Sequence, residues 1–497
     1  MIAQFISVHL AALQVILALL AAPICLLLRR PVATWILSTV ITWILLFLSL
    51  LILDRVLNTG TIIYSIGNWP APWGIEYRID LANAFMLVIV TLIGSAAMPY
   101  AKRSVEKEIT RDKIYIFYCM YLLNLSGLLG ISITGDVFNL FVFLEISSLS
   151  SYAMISLGRS KSALTAAYRY LIMGTIGATF YIIGVGMMYM TTGTLNMTDL
   201  ATLIPFISDS RTIIVAIAFL TVGLGIKMAL VPLHLWMPNA YTHAPSVVSV
   251  FLAGTSTKVA AYALMRIIFT VYGGAIIFES FKLSEMLSGL AIIAMIGASA
   301  VAVFQTNIKR MLAYSSLAQI GYIVLGISMG SIYGIAAGIV HLFNHAIIKA
   351  GLFMAMGCIF LKIGTVKIEN MKGLGKAMPK TMAAFVAGGL GLIGVPLTAG
   401  FISKWYFIQS AIEKGWWLSI ISILISSLLA VVYIWRIVEV AYFQPRDENL
   451  HTISEAPWSM LAPMWVLIFL SFFFGINGTF TLDIALGGAE ALIGGVK

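Results

Sequence analysis

Windows of about 20 apolar residues recur along the whole 497-residue chain, and each is long enough to cross a hydrocarbon core of ~30 Å. No other feature restricts the fold so severely. Hydrophobic residues make up 61% of the sequence and charged ones 10%, against roughly 25% charged in an ordinary soluble protein. A soluble globule has too little interior to hide that much apolar surface, and the strict alternation of a membrane β-barrel is absent. The composition therefore predicts an all-α, polytopic membrane protein. Fourteen spans are expected, near 6–28, 33–53, 82–100, 114–132, 136–157, 163–191, 212–231, 246–272, 286–305, 311–329, 332–361, 381–412, 415–440 and 458–476. The span 381–412 reads either as one broken helix or as two short ones. The longest connection, about 54–81, carries Trp69 and Trp73 and is expected at the membrane interface.

The net charge of +10 need not mean an anionic partner such as nucleic acid. Placed on alternating sides, one set of connections holds Arg29, Arg30, Lys102, Arg103, Lys107, Arg111, Lys113, Arg159, Lys161, Arg169, Lys309, Arg310, Lys362, Lys367, Lys372, Lys376, Lys380, Arg436 and Arg446. The other set holds only Arg55, Arg78, Arg211, Lys282 and Lys414. Basic residues collect on the cytoplasmic side, so both termini are expected outside, in a cytoplasmic membrane. No Lys or Arg precedes the first apolar run, which argues against a signal peptide. Cys25, Cys119 and Cys358 stand singly in apolar spans and read as small hydrophobes, not as disulfides or metal ligands.

Five charged residues lie deep inside these spans: Glu145, Lys227, Lys258, Lys349 and Lys404. Each costs at least ~2.5–3.5 kcal/mol at the centre of a bilayer, so together they mark a buried polar pathway. A structural ion pair is the plain alternative for Glu145. Burying such a pair returns little net stability, which favours a proton-carrying or pKa-setting carboxylate. Asp136, nine residues earlier, either caps the same helix or sits at the interface. His341, His345 and Lys349 stand at i, i+4 and i+8 and share one helix face. Two histidines at that spacing can hold zinc, but the HExxH glutamate and a third ligand are missing, so a titratable ladder is the better account. No metal site is expected. Lys404, beside Trp405, Tyr406 and Phe407, either ends the path or snorkels to the headgroups. Arg266 lies on the face of Lys258, toward the outer edge, and Arg436 with Glu439 looks like an interfacial pair.

Two spans carry a mid-membrane break, at Pro232 in TVGLGIKMALVPLHLWMP and at Pro396 in GGLGLIGVPLTAGFISKW. Proline removes a backbone donor and clashes with the preceding turn. Opened backbone at membrane depth survives only inside protein or along a hydrated cavity. Each break has a lysine nearby, Lys227 before the first and Lys404 after the second, a pairing typical of transport sites. His234 and His243 border the first break, where they either link Lys227 to Lys258 or satisfy open backbone. Phosphate loops, dinucleotide fingerprints, haem-attachment motifs and nucleophile elbows are all missing, so no cofactor is expected and energy must come from ion gradients or a partner.

The stretch GIKMALVPLHLWMPNAYTHAPSVVSVFLAGTSTKVAAYALMR resembles the core signature of the proton-translocating antiporter family. That family holds antiporter-like subunits of respiratory complex I, large subunits of Mrp-type cation/proton antiporters and related subunits of membrane-bound hydrogenases. NIKRMLAYSSLAQIGYIVLG, HLFNHAIIKAGLFMAMG and GLIGVPLTAGFISKW support the match, which spans roughly 100–430. The resemblance implies fourteen helices with two inverted five-helix repeats and broken seventh and twelfth helices. The expected divisions of this single transmembrane domain are 1–113, 114–272 for the first repeat, 286–440 for the second and 458–476 for the last helix. Glu145 would be the helix-five glutamate, Lys227 its helix-seven partner and Lys258 the central helix-eight lysine. His341, His345 and Lys349 would form the helix-eleven group, and Lys404 the helix-twelve terminus. VPLTAGFISKWY looks most like D-type subunits. The implied activity is proton movement within a multi-subunit Na⁺/H⁺ antiporter. The alternative is a proton-pumping subunit of a hydrogenase or quinone-linked complex, with other membrane subunits as partners either way.

Overall fold

The computed structural model describes residues 2–445 and 453–494; Arg446, one of the expected cytoplasmic basic residues, lies outside them. Among the described residues, thirteen helices are long and apolar enough to cross a membrane. A divided pair, Pro379–Ile393 (α14) and Ala399–Glu413 (α15), makes the fourteenth crossing, so the span 381–412 is two short helices. The other crossings, in chain order, begin with α1 (Ile2–Leu28), α2 (Pro31–Thr59), α3 (Leu81–Glu108), α4 (Ile114–Ile133), α5 (Val137–Ser156) and α6 (Lys161–Thr192). Then come α7 (Arg211–Met228), the short α8 (Met237–His243), and α9 (Ser246–Gly254) with α10 (Ser256–Met265), which share one crossing. The remainder are α11 (Leu283–Ile293, extended by a π turn to Val303), α12 (Ile308–Met329), α13 (Ile332–Ile363), α16 (Trp417–Val438) and α17 (Trp458–Ile476). Last comes α18 (Gly478–Ile493).

The one sheet among the described residues is a hairpin, β1 (Ile62–Ser65) against β2 (Glu76–Ile79), with Ile62 opposite Ile79. Trp69 and Trp73 at its tip are 67% and 86% exposed. Asp80 follows directly and caps α3: its carboxylate accepts from Asn83 N while the Asn83 side chain accepts from Asp80 N. Asp136 likewise caps α5, accepting from Asn139 N at 2.6 Å.

Helix α13 forms the axis of the bundle. Every residue from Gly334 to Ile359 is buried, as befits a helix packed all round by others. Helices α9, α12, α14, α15, α17 and α18 pack against it. Glycine permits the closest approaches: a Cβ on Gly351 would meet Ile468 at 2.7 Å, and one on Gly388 would meet Leu352 at 2.9 Å.

Helix α18 lies beyond the expected spans, the last of which ends at 476. Its run GTFTLDIALGGAEALI mixes small and acidic residues and fails a hydropathy window. The same small residues let it lie against α3, where Gly488 is close to the Ala82 backbone.

Both expected breaks are present, and they close in the same way. At the first, Ala229 adopts φ 62° and Leu230 N reaches back to Gly225 O at 2.8 Å. At the second, Gly394 adopts φ 85° and Val395 N reaches Leu390 O at 3.1 Å. A left-handed residue followed by a six-residue back-bond is a helix stop, so each helix ends before its proline.

Candidate functional site

Lys227 sits in the last turn of α7 and is almost fully buried. Its Nζ donates to Glu145 Oε1 at 3.1 Å and to Ser148 Oγ at 2.7 Å, both on α5. The Glu145 side chain retains 24% exposure, against 4% for Lys227, so the carboxylate is the wetter partner. The opened end of α7 is satisfied by Trp236, whose indole N–H donates to Ile226 O at 2.9 Å. That indole stacks on Tyr170, with ring centres 3.7 Å apart. Neither His234 nor His243 hydrogen-bonds Lys227 or Lys258 among the described residues. Lys227 and Lys258 find their partners elsewhere, and His243 faces a cavity of about 530 Å³ with Lys107, Glu108, Arg159 and Lys309.

Next to Lys227 lies a small cavity lined by Ser147, Ser148, Ser151, Tyr170, Ser256 and Ala260. It offers about 20 Å³ to the centre of a water-sized sphere, enough for one water molecule. Ser256 Oγ is buried there with no hydrogen-bond partner among the described residues. Two residues on, Lys258 Nζ donates to Ala253 O and approaches Thr257 Oγ1 at 3.5 Å. The joint between α9 and α10, at Thr255 (φ −126°, ψ −64°), opens the backbone that exposes this carbonyl.

The crossing that carries Lys258 packs against α13 through α9. His341, His345 and Lys349 do share one face of α13, as the spacing predicts; the two imidazoles stack with centroids 6.0 Å apart. His341 Nδ1 is 2.8 Å from Ser403 Oγ, whereas His341 Nε2 and both His345 nitrogens are buried without a hydrogen-bond partner among the described residues. Buried polar atoms of this kind are normally satisfied by water. Lys349 Nζ donates to Leu312 O at 2.9 Å and to Ser315 Oγ at 2.7 Å, and Tyr433 OH donates to the same Ser315 oxygen at 3.1 Å.

Lys404, in the second turn of α15, does not snorkel. Its Nζ donates to Ile393 O at 2.7 Å, Leu392 O at 3.2 Å and Ser427 Oγ at 2.9 Å, and lies 5.1 Å from the Tyr322 ring centre. The Tyr322 ring is also 5.4 Å from the His341 ring. Glu145, Lys227, Lys258, His341, His345, Lys349 and Lys404 thus form a band of ionisable groups on five crossings: Lys227 bonds Glu145, the Tyr322 ring lies beside both His341 and Lys404, and Lys258 and Lys349 each bond a backbone carbonyl and a hydroxyl.

Several members of this band went unread in the sequence: Ser148, Ser256, Ser315, Tyr322, Ser403, Ser427 and Tyr433. The available signal was hydroxyls inside apolar spans, as in SSLSSY and AYSS. The partner of Arg266 was missed as well: it is Asp80, bound at 2.7 and 3.0 Å. The Arg436–Glu439 pair does not form among the described residues, because Arg436 turns instead to Gln305 O at 3.5 Å.

Fold and band together define a multi-pass helical membrane protein with ionisable side chains threaded through its core. Residues 134–430 match the family described as NADH:quinone oxidoreductase/Mrp antiporter, TM, and the chain belongs to that family. It is 43% identical over 416 residues to the N subunit of the NADH-quinone oxidoreductase of Desulforudis audaxviator, covering 81% of this chain and 82% of the relative. It is 31% identical to the D subunit of the Na(+)/H(+) antiporter of Alkalihalophilus pseudofirmus, covering 90% of each. Two solved structures share the fold. A chain of the Mrp complex from Dietzia sp. DQ12-45-1b superposes with TM-score 0.90 at 24% identity, covering 98% of this chain and 97% of its own. A chain of the membrane-bound sulfane sulfur reductase, an archaeal respiratory membrane complex, gives 0.88 at 31% identity and 98% coverage of both.

Proposed function

We propose that this chain is the proton-translocating subunit of a multi-subunit Na⁺/H⁺ antiporter, an ion transporter subunit that works beside other membrane subunits. Protons move along Glu145, Lys227, Lys258, His345, His341, Lys349 and Lys404, with water completing the gaps beside Ser256 and the two imidazoles. The observation that carries this reading is the half-buried Glu145–Lys227 pair, whose lysine borders a water-sized cavity that reaches the Lys258 helix.

The pair is a switch by elementary electrostatics. While the carboxylate is charged and 3.1 Å away, it holds the proton on Lys227. When Glu145 takes up a proton or turns toward its exposed side, Lys227 is left as an uncompensated buried cation and passes its proton inward. One charge moved through 100 mV is worth ~2.3 kcal/mol, enough to bias such an equilibrium more than tenfold. The protein resides in the cytoplasmic membrane with both termini outside, a placement supported by nineteen basic residues on one set of connections against five on the other. The stretches 114–272 and 286–440 act as two inverted repeats, each with its own broken helix and lysine.

A second reading is a proton-pumping subunit of a redox-driven complex. The 43% identity to a protein named as the N subunit of an NADH-quinone oxidoreductase favours it. Co-purifying subunits with flavin, iron–sulfur or nickel centres would decide for it; small membrane partners alone would decide for the antiporter.

The test is proton flux through the assembled complex in liposomes carrying Glu145→Ala or Lys227→Ala. Each substitution is expected to reduce flux at least about tenfold, ~1.4 kcal/mol in barrier terms. Unchanged flux in both variants, with assembly verified, would overturn the assigned roles.

A further inference from the structure

Lys258, Tyr262 and Arg266 stand at i, i+4 and i+8, so the band of ionisable groups has a side branch. It leaves the core along α10 toward the β1–β2 hairpin, and Arg266 lies about 12 Å beyond Lys258 at 1.5 Å per residue. The branch ends in a dense, closed network. Arg266 Nη1 donates to Asp80 Oδ2 at 2.7 Å and to Thr270 Oγ1 at 3.2 Å. Its Nη2 donates to Asp80 Oδ1 at 3.0 Å, Asn83 Oδ1 at 2.8 Å and Tyr262 OH at 2.9 Å, while Nε donates to that same hydroxyl at 3.1 Å. Tyr262 OH in turn donates to Ser132 O at 3.3 Å, and Asn83 Nδ2 donates to the same carbonyl at 2.6 Å. Both members of the ion pair are buried, with side-chain exposures of 6% and 7%.

From this geometry we infer that the Arg266–Asp80–Tyr262 network is a seal, which prevents protons on Lys258 from escaping to the hairpin end of the protein. The inference rests on Lys258 belonging to the transport band. Proton hopping needs groups that can both accept and release a proton, and none in this network is free to do so. A guanidinium does not deprotonate in proteins, and every donor group of Arg266 is engaged. The Tyr262 proton is committed to a backbone carbonyl and its lone pairs face two guanidinium N–H groups. Asp80 is held twice, by the bidentate contact with Arg266 and by its capping box on α3, so it has little freedom to swing away. A fixed arginine of this kind also raises the barrier to any cation approaching through the same gap. A buried ion pair adds little net stability, so fold maintenance alone does not account for one placed eight residues from Lys258.

The test is passive proton leak in liposomes holding the assembled complex, with a pH gradient imposed and no Na⁺ gradient. Arg266→Gln is expected to raise the leak about tenfold over the native complex. Asp80→Asn, isosteric and still able to cap α3, is expected to raise it less, and it carries the test should Arg266→Gln fail to assemble. Adding Lys258→Ala to either variant must return the leak to background, an outcome that mere loosening of the bundle would not give. Native leak in both single variants, or a leak that survives Lys258→Ala, overturns the seal. Loss of the band itself reads out separately, because Lys258→Ala alone would then leave coupled transport intact.

Discussion

The two broken helices close with the same backbone motif, yet their lysines are held by different means. At the first break the open Ile226 carbonyl is capped by the neutral Trp236 indole, which leaves Lys227 free to pair with a carboxylate. At the second break Lys404 does the capping, donating to Leu392 O and Ile393 O at the C-terminal end of α14. A helix C-terminus carries only about half a negative charge, and its carbonyls cannot take up a proton. The Lys227 end therefore has a titratable partner that can tighten or release its cation. The Lys404 end has a fixed, weaker hold and no carboxylate within the set of contacts. In the proposed pathway the first end switches and the second delivers.

Lys404→Ala breaks the delivering end, and flux through the assembled complex should fall about tenfold. Thermal stability should change little, because the α14 carbonyls can recruit water at this opened helix end. Glu145→Ala, by contrast, should lower both flux and stability, since it strands a buried lysine; breaking a buried pair costs about 3 kcal/mol when, as here, one partner keeps some exposure. Equal stability losses at the two ends, measured by thermal unfolding, would erase the distinction.

Ser427→Asp sharpens the comparison by giving Lys404 the carboxylate it lacks, 23 residues away on α16. The second end should then hold its proton as the first does. Flux is expected to fall about threefold, with the loss relieved at alkaline external pH, where release is easier. The smallest effect belongs to Trp236→Phe. It removes one neutral hydrogen bond at the first break and should cost about 1 kcal/mol of stability, leaving the ion pair and the flux nearly intact. A flux loss as large as that of Lys227→Ala would mean that the indole, not the carboxylate, governs the lysine.

The parts legible in the sequence were those in which a residue contradicts its surroundings. A lone Glu or Lys in twenty apolar residues is costly, so Glu145, Lys227, Lys258, Lys349 and Lys404 stood out, and the two prolines marked the broken crossings. The pairing of Lys227 with Glu145 came from the family resemblance; the residues alone left open which lysine Glu145 meets. What could not be read were groups at home in their local context. Asp80 precedes its span and looks like an ordinary helix cap; its bond to Arg266 joins residues 186 apart in the chain. Serines in membrane helices usually bond their own backbone, so the hydroxyls of SSLSSY and AYSS gave only a weak signal for Ser148 and Ser315. Helix α18 was overlooked because its small and acidic residues lower the mean hydropathy that defines a span. The use of Trp236 as a helix cap depends on a turn whose path no local pattern encodes.

The central claim is that a single continuous band of ionisable groups carries protons, with Lys258 in the middle, where the two halves meet. The most direct measurement is coupled proton flux through the assembled, reconstituted complex bearing Lys258→Ala. Flux reduced to the level of empty liposomes, with the subunits still co-purifying in native proportion, is the expected result. Native flux from that complex would contradict the account.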